Sequence, residues 1–333
     1  MEKGKKPPLV VIVGPTASGK TALALSLARR MDGEIVSADS MQVYKGMDIQ
    51  TAKPTPTELA EVPHHLIGVL KPHESFSVAK FQSLARSAIA DIAARGRLPF
   101  LVGGTGLYVS AVVDNTDFGE IQIDPAVRAR LVREAEEQGG ETLLARLEAL
   151  DPAIACRLHP NNTGRIIRAL EVVESTGRTL SDYQEASRLA PPPYRVRMLG
   201  VTFRDRALLY ERVNKRVDEM LQNGLLDEVR ELLHVPLSPT ARQAIGCKEL
   251  RGYLDGTLPL AEAVENLKRQ TRRYAKRQLT WFRRDERVRW LYHEDGDVVK
   301  QALERLEEYN ADIEIPNKNI SIIKPADEEG DEQ

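Results

Sequence analysis

Residues 14 to 21 read GPTASGKT, a Gly-x-x-x-x-Gly-Lys-Thr spacing suited to holding a phosphate. Gly14 and Gly19 allow backbone N–H groups to turn inward around an anion, with Pro15, Thr16, Ala17 and Ser18 between them. A helix opening at the loop adds positive potential at its N-terminus. Lys20 supplies a full charge, and the Thr21 hydroxyl can ligate Mg2+. The spacing predicts a phosphate grip but not what hangs from the phosphate. The usual companions of a nucleoside-triphosphate site are weak. The stretch IVSAD is a poor metal-binding strand end, and Asn214-Lys215 runs into Arg216-Val217 rather than completing a guanine-reading motif.

A second candidate is Asp39, at the carboxyl end of a predicted strand, EIVSAD, over 34–39. Open α/β sheets bind ligands at that edge. A carboxylate there can be a metal ligand, a general base or a helix cap. The third is GGTGLY at 103–108, whose paired glycines would let a ligand approach the backbone. The fourth is cationic. Arg269, Arg272, Arg273 and Lys276 recur at helical spacing, with Tyr274, Trp281 and Phe282 among them. Basic residues interleaved with aromatics suit RNA, although a solvated face with its rings in the core has the same pattern. RIIR at 165–168 carries the same ambiguity, and His64-His65 reads as a loop without a third metal ligand.

The elements that must position these groups are legible in part. LVVIVG (9–14) is a continuous apolar run, as for a strand covered on both faces. Strands also read over 34–39, 98–105 and 195–203, and helices over 19–30 and 76–96. Alternation of the two predicts a parallel α/β sheet. From Asp124 to Gly177 only helical patterns occur, several opening at Asp-Pro or Asn-Thr. A proline-rich connector, APPPY, then leads to the last predicted strand. After residue 204 the chain reads as helices, with a long basic one near 261–284. The predicted architecture is an α/β, P-loop NTPase-like parallel-sheet core with an inserted all-helical domain and a helical, basic C-terminal region. Its expected parts are the first piece of the core (1–117), the helical insertion (118–193), the second piece of the core (194–315) and an acidic, disordered tail (316–333).

The 333 residues are 42% hydrophobic and 29% charged, with a net charge of −2, as for an ordinary globular chain. The neutral sum hides a segment, Lys268 to Arg289, with ten Lys or Arg against two acids. Two distant cysteines, Cys156 and Cys247, form neither a disulfide framework nor a zinc pattern. The N-terminal stretch enters a strand directly, without a secretory apolar core, which points to a cytoplasmic protein with no membrane partner.

Taken together, GPTASGKT, DSMQVYKGMDIQTAKP, LVGGTGLY, RALEV, QAIGCKEL and KRQLTWFRRD closely resemble the bacterial tRNA dimethylallyltransferases, in family order from residue 14 to about 285. The resemblance implies transfer of a dimethylallyl group from dimethylallyl diphosphate to N6 of the adenosine 3′ of the anticodon (position 37), in tRNAs reading codons that begin with U. It implies Mg2+, no organic cofactor and a monomer. It also implies a channel, with tRNA entering one mouth, the donor the other, and the adenine flipped in. Within it, Asp39 is the general base. Lys20, Thr21 and Arg216 face the diphosphate. Contact with tRNA falls to Asp39, Ser40, Met41 and Gln42, to Thr105 and Arg128, and to Gly164, Arg165, Ile166, Ile167 and Arg168. It falls further to Gln243, Ala244, Ile245, Gly246, Cys247 and Lys248, and to Lys276, Arg277, Gln278, Trp281 and Arg283. Cys247 departs from the family, where an aromatic is common. The alternatives are an adenine-nucleotide prenyltransferase, for which the insertion and basic helix are superfluous, and a P-loop nucleotide or nucleoside kinase.

Overall fold

The computed structural model describes residues 6–116, 124–189 and 191–307. The expected boundary at 118 and the acidic tail lie outside the described residues. Six parallel strands form one sheet: β1 (Pro8–Val13), β2 (Gly33–Ser37), β3 (His64–His65), β4 (Leu98–Gly103), β5 (Arg195–Thr202) and β6 (Val288–Tyr292). Their spatial order is β3-β2-β4-β1-β5-β6. β1 lies at the centre, paired with β4 on one side and β5 on the other.

The continuous apolar character of β1 follows from its position. Leu9, Val11 and Val13 enter a core built with Phe81, Ile89, Val112, Leu267 and Phe282 on one face of the sheet. Val10 and Ile12 enter a second core on the other face, with Leu23, Leu27 and Ala302. Both sets of side chains are therefore apolar, as expected for a strand buried on two sides. Because all strands run the same way, the segments after β1, β2 and β4 leave from one edge. These carry GPTASGKT, Asp39 and GGTGLY respectively.

Between β4 and β5 the chain builds helices with a separate apolar cluster, including Leu131, Leu147, Ile166 and Leu170. The helix Pro125–Leu150 opens under an Asp124 cap and breaks at Gly139, whose φ of 80° separates the two helical patterns seen in the sequence. Asp151 caps the following helix through the Ile154 N–H and also accepts the Ser181 N–H at 3.0 Å. Glu171 is buried and pairs with Arg128 and Arg168 at 2.7 and 2.6 Å.

Two readings of the chain require correction. His64-His65 is not a loop but a two-residue edge strand, its register fixed by Ile35 and Val36. His65 pairs there with buried Glu34, which Arg95, Arg97 and His65 together hold down to a pKa of about 2. Residues after 204 are not all helical, since β6 adds a sixth strand beside β5. VRWLY is too short and too interrupted by charge to show a period, and pairing with β5 creates the strand.

The GGTGLY glycines have a packing role that the sequence did not show. They make room for protein groups, although Gly103 also lines the cavity described below. A Cβ on Gly103 would strike the Ala38 carbonyl, one on Gly104 the Gln278 amide, and one on Gly106 the Trp281 ring. The first is the most rigid contact, because backbone cannot rotate aside. Gly103→Ala is therefore expected to destabilise the fold by roughly 1–3 kcal/mol, as overpacking does, read as a lower urea midpoint at unchanged slope.

Candidate active site

The glycine-rich loop follows β1 and turns into the helix Lys20–Arg30. Gly19 adopts φ 90° and Ala17 φ 63°, both left-handed, so the loop closes tightly before the helix begins. The Lys20 Nζ donates to the Pro15 carbonyl at 3.3 Å. Its ammonium is buried, and burial, with the neighbouring Arg216 cation, lowers its pKa to about 8, while Asp39 acts in the opposite sense. Burial likewise lowers the pKa of Arg216. Two desolvated cations that repel each other in one hollow are the electrostatic signature of a site that awaits an anion.

Asp39 follows β2. Its Oδ1 accepts the N–H groups of Met41 at 2.8 Å and Gln42 at 3.3 Å. The carboxylate thus caps the turn, as one sequence reading allowed. Capping and chemistry are compatible here. One oxygen is committed to the backbone, no hydrogen bond to the other is found among the described residues, and the residue lines the cavity. Ser40 N–H donates to the Thr105 hydroxyl at 3.2 Å, so the segments after β2 and β4 are tied together.

These groups share a cavity of about 390 Å³. Its polar lining includes Thr16, Lys20, Thr21, Asp39 and Arg216. Apolar side chains line the same cavity, Val217, Met220, Leu225, Ile245 and Leu267 among them, together with further polar groups such as Gln50, Thr51 and Thr271. Gln243 and Arg277 stand on the rim side as exposed residues that also line the cavity. A second hollow, about 790 Å³, adjoins the first and shares Ala52, Pro54, Ile67, Arg216 and Met220 with it. Lys45 and Lys53 line this second opening. A small anion with an apolar tail suits a lining that holds both cations and apolar side chains.

The remaining candidates are distributed. Ser40, Met41, Gln42, Ala244 and Gln278 also line the cavity. Cys247 is buried, with Sγ 3.7 Å from Gln50 Oε1, and burial pushes its thiol up. Gly246 packs against Gln50, and Lys248 is exposed. Arg128 and Arg168 lie on the separate helices, half exposed and oriented by Glu171, beside exposed Gly164 and Arg165. Ile166 and Ile167 instead have side chains in that unit's core, so they cannot present them to a partner. On the long helix Leu260–Phe282, Arg269, Arg273, Lys276 and Arg277 are exposed, as is Arg283 just beyond its end. Arg272 is not free in the same way. It is engaged by Asn214 at 2.7 Å and Glu265 at 2.8 Å. The aromatics divide: Phe282 is core, and Trp281 is 40% exposed.

Two residues noted in the sequence for other reasons also line the cavity. His64 lines the cavity, its Nδ1 held by the Val62 carbonyl at 2.7 Å, while its Nε2 is buried without a partner. Tyr274 also lines the cavity, and burial raises its hydroxyl pKa, with Asp39 acting in the same sense. No cluster of three His, Cys, Asp or Glu suited to a metal occurs among the described residues. The oxygen donors near the loop are instead Thr21, Ser37 and Asp39. So sparse a set fits Mg2+, which keeps several waters and takes its other ligands from phosphate.

Comparison with known proteins gives a consistent result. The IPP transferase family profile matches residues 42–285, and the isopentenyl transferase profile matches residues 7–67. A tRNA dimethylallyltransferase of Symbiobacterium thermophilum is 55% identical over 302 residues, covering 90% of this chain and 94% of the relative. That of Bacillus subtilis is 50% identical over 286 residues, covering 86% and 90%. Among solved structures, the tRNA isopentenylpyrophosphate transferase of Bacillus halodurans is 46% identical with a TM-score of 0.67, over 92% of this chain and 99% of that one. A eukaryotic dimethylallyltransferase acting on tRNA superposes with a TM-score of 0.78 at 27% identity, over 94% of this chain and 81% of that one. With matches of this length and identity beside the geometry above, the chain belongs to the tRNA dimethylallyltransferase family.

Proposed function

We propose that the protein prenylates tRNA, moving a dimethylallyl group from dimethylallyl diphosphate to N6 of adenosine 37. The observation that carries this is the cavity itself. An anion-gripping loop, two desolvated cations, a carboxylate and several apolar side chains line one hollow. A five-carbon chain beside a diphosphate needs apolar surface near the cations, and Val217, Met220, Leu225 and Leu267 supply it.

The reaction forms a bond between adenine N6 and the C1 carbon of the donor. The C1–oxygen bond to diphosphate breaks, and its electron pair leaves with the diphosphate. N6 is a poor nucleophile because its lone pair is delocalised into the ring. Asp39, through the carboxylate oxygen that its backbone does not use, accepts the N6 proton as the new bond forms. Lys20, Arg216 and the loop amides oppose the negative charge that grows on the leaving group. Mg2+, held by Thr21 and the diphosphate with water, would add to that charge neutralisation. The two adjoining hollows suit separate approaches, the donor past Lys45 and Lys53 and the base from the side of Gln243 and Arg277. Within this reading the core is of the P-loop type, the helices of 118–193 are an insertion that clamps the anticodon stem, and the enzyme acts as a monomer.

The decisive experiment is incubation with radiolabelled dimethylallyl diphosphate, Mg2+ and unmodified tRNA. Label should enter the RNA, and nuclease digestion should release it as N6-dimethylallyladenosine. Label that reaches only free adenine nucleotides, or none at all, would reject the proposal.

The exposed cations provide a second check. Replacing Arg273 and Lys276 by Ala is expected to weaken tRNA binding and to lower the slope of log K against log salt by roughly one for each phosphate that is no longer neutralised. Filter binding across a salt series reads this, and an unchanged slope would make that face a solvated surface. Arg272, tied to Asn214, is the less suitable target.

A further inference from the structure

Three consecutive residues of the glycine-rich loop are held from outside by three different parts of the C-terminal half. The Thr16 N–H donates to Gln278 Oε1 at 2.9 Å. The Ala17 carbonyl accepts from Arg212 Nε at 3.2 Å. The Ser18 carbonyl accepts from the His293 ring at 2.7 Å. Carbonyls pinned outward leave the neighbouring amides free to turn toward an anion. Arg212 and His293 are buttresses of this kind, with the Phe203 ring stacked on His293 at 4.4 Å and beneath Arg212 at 5.5 Å.

Gln278 differs from both because of where it stands. It lies on the helix Leu260–Phe282, whose exposed side carries Arg269, Arg273 and Lys276. The residue is only 5% exposed, and its Nε2 donates to the Gly104 carbonyl at 3.0 Å. Both ends of the amide are therefore used within the protein. A side chain on Gly104 would occupy the space through which the amide passes. One turn earlier on the same helix, Tyr274 lines the cavity that Asp39 also lines, and Thr105 accepts the Ser40 N–H beside Asp39. One helix thus holds the phosphate loop through Gln278 and shares the Asp39 cavity through Tyr274. A buried primary amide is costly unless both its ends are paired, and an apolar side chain would fill the same volume without that requirement. What the amide supplies beyond volume is a rigid connection between loop and helix.

We infer that Gln278 is a positioning residue that couples the phosphate loop to the cationic helix, so that RNA docked on the helix tightens the grip on diphosphate. This rests on the reading of the helix as an RNA face and of the loop as a diphosphate cradle. RNA that settles on Arg273 and Lys276 restrains the helix, the helix restrains Gln278, and Gln278 restrains Thr16. The ordering that the loop must otherwise undergo on binding diphosphate is then already complete. The coupling is reciprocal, as any linkage between two binding equilibria must be.

The test is calorimetry on the full chain. Inorganic diphosphate is titrated in the presence of Mg2+, with and without a saturating, unmodified anticodon stem–loop RNA. Wild-type protein is expected to bind diphosphate about 5-fold or more tightly when RNA is present, within the usual range of such couplings. Gln278→Met keeps the volume and loses both hydrogen bonds, and its ratio is expected to fall to about one. Should that variant not fold, Gln278→Glu keeps an acceptor for the Thr16 N–H and loses the donor to Gly104, and its ratio should be reduced. A wild-type ratio in either folded variant overturns the inference, as does a wild-type protein that binds both ligands without mutual effect. Wild-type protein that binds neither ligand overturns the functional reading together with it. A purely structural role for Gln278 would lower stability without changing this ratio.

Discussion

Asp39→Ala is expected to lower the rate of prenyl transfer by about 10²–10⁴-fold, the usual contribution of a positioned general base, with tRNA binding retained. Geometry supports that expectation. The Asp39 Oδ1 is fixed by two backbone N–H groups, which orient the carboxylate, and the residue lines the cavity that also holds Lys20 and Arg216. Removal of the side chain also deletes the cap, so a fold effect must be separated from a chemical one. Asp39→Asn serves that purpose. The amide oxygen can still accept from Met41 and Gln42, but the group cannot take a proton at neutral pH. Both variants should lose turnover in single-turnover assays of label transfer, and only the alanine variant should lose stability. A near wild-type rate in Asp39→Asn would remove the general-base role.

Lys20→Met is expected to lower kcat/KM for the donor by roughly 10²–10³-fold, as for the loss of one group that meets developing charge. Its pH dependence follows from burial. The folded protein holds the Lys20 pKa at about 8, well below the ordinary lysine value of 10.5. Below that pH the ammonium is charged and opposes the diphosphate. As pH rises through about 8 the free enzyme loses that charge, so kcat/KM for the donor should fall. In Lys20→Met this descending limb should vanish, and a limb that persists there would assign it to another group. The same shift has a stability consequence of opposite sense. Between about pH 8 and 10.5 the unfolded chain binds the proton and the native chain does not, so this residue's contribution to stability rises with pH across that window.

Some of this was available from local order alone. GPTASGKT displays its phosphate-binding character through spacing, because glycine placement and a following helix are local properties. β1 announces burial on two faces by its unbroken apolar run, and the observed strand, Pro8–Val13, agrees. The helix Leu260–Phe282 shows its basic face by period. Asp39 could be placed at the right edge of the sheet because strand polarity follows from the strand–helix alternation. The resemblance of several short motifs then supplied the chemistry, which spacing could not.

Other features arose only on folding. β3 and β6 have no period of their own, and they are strands because β2 and β5 offer them unpaired backbone. The GGTGLY glycines make room for Ala38, Gln278 and Trp281, residues that no local pattern connects to them. The apolar lining of the cavity is drawn from three separate helices and the segment around Ile245. Gln278 meets Thr16 across 262 positions of sequence. Sequence by itself determined the phosphate loop, the parallel α/β character and the cationic helix, because each depends on spacing within one segment. Tertiary structure decided which residues face one another across the cavity, since desolvation, charge coupling and close packing act through space between segments that sequence order leaves unrelated.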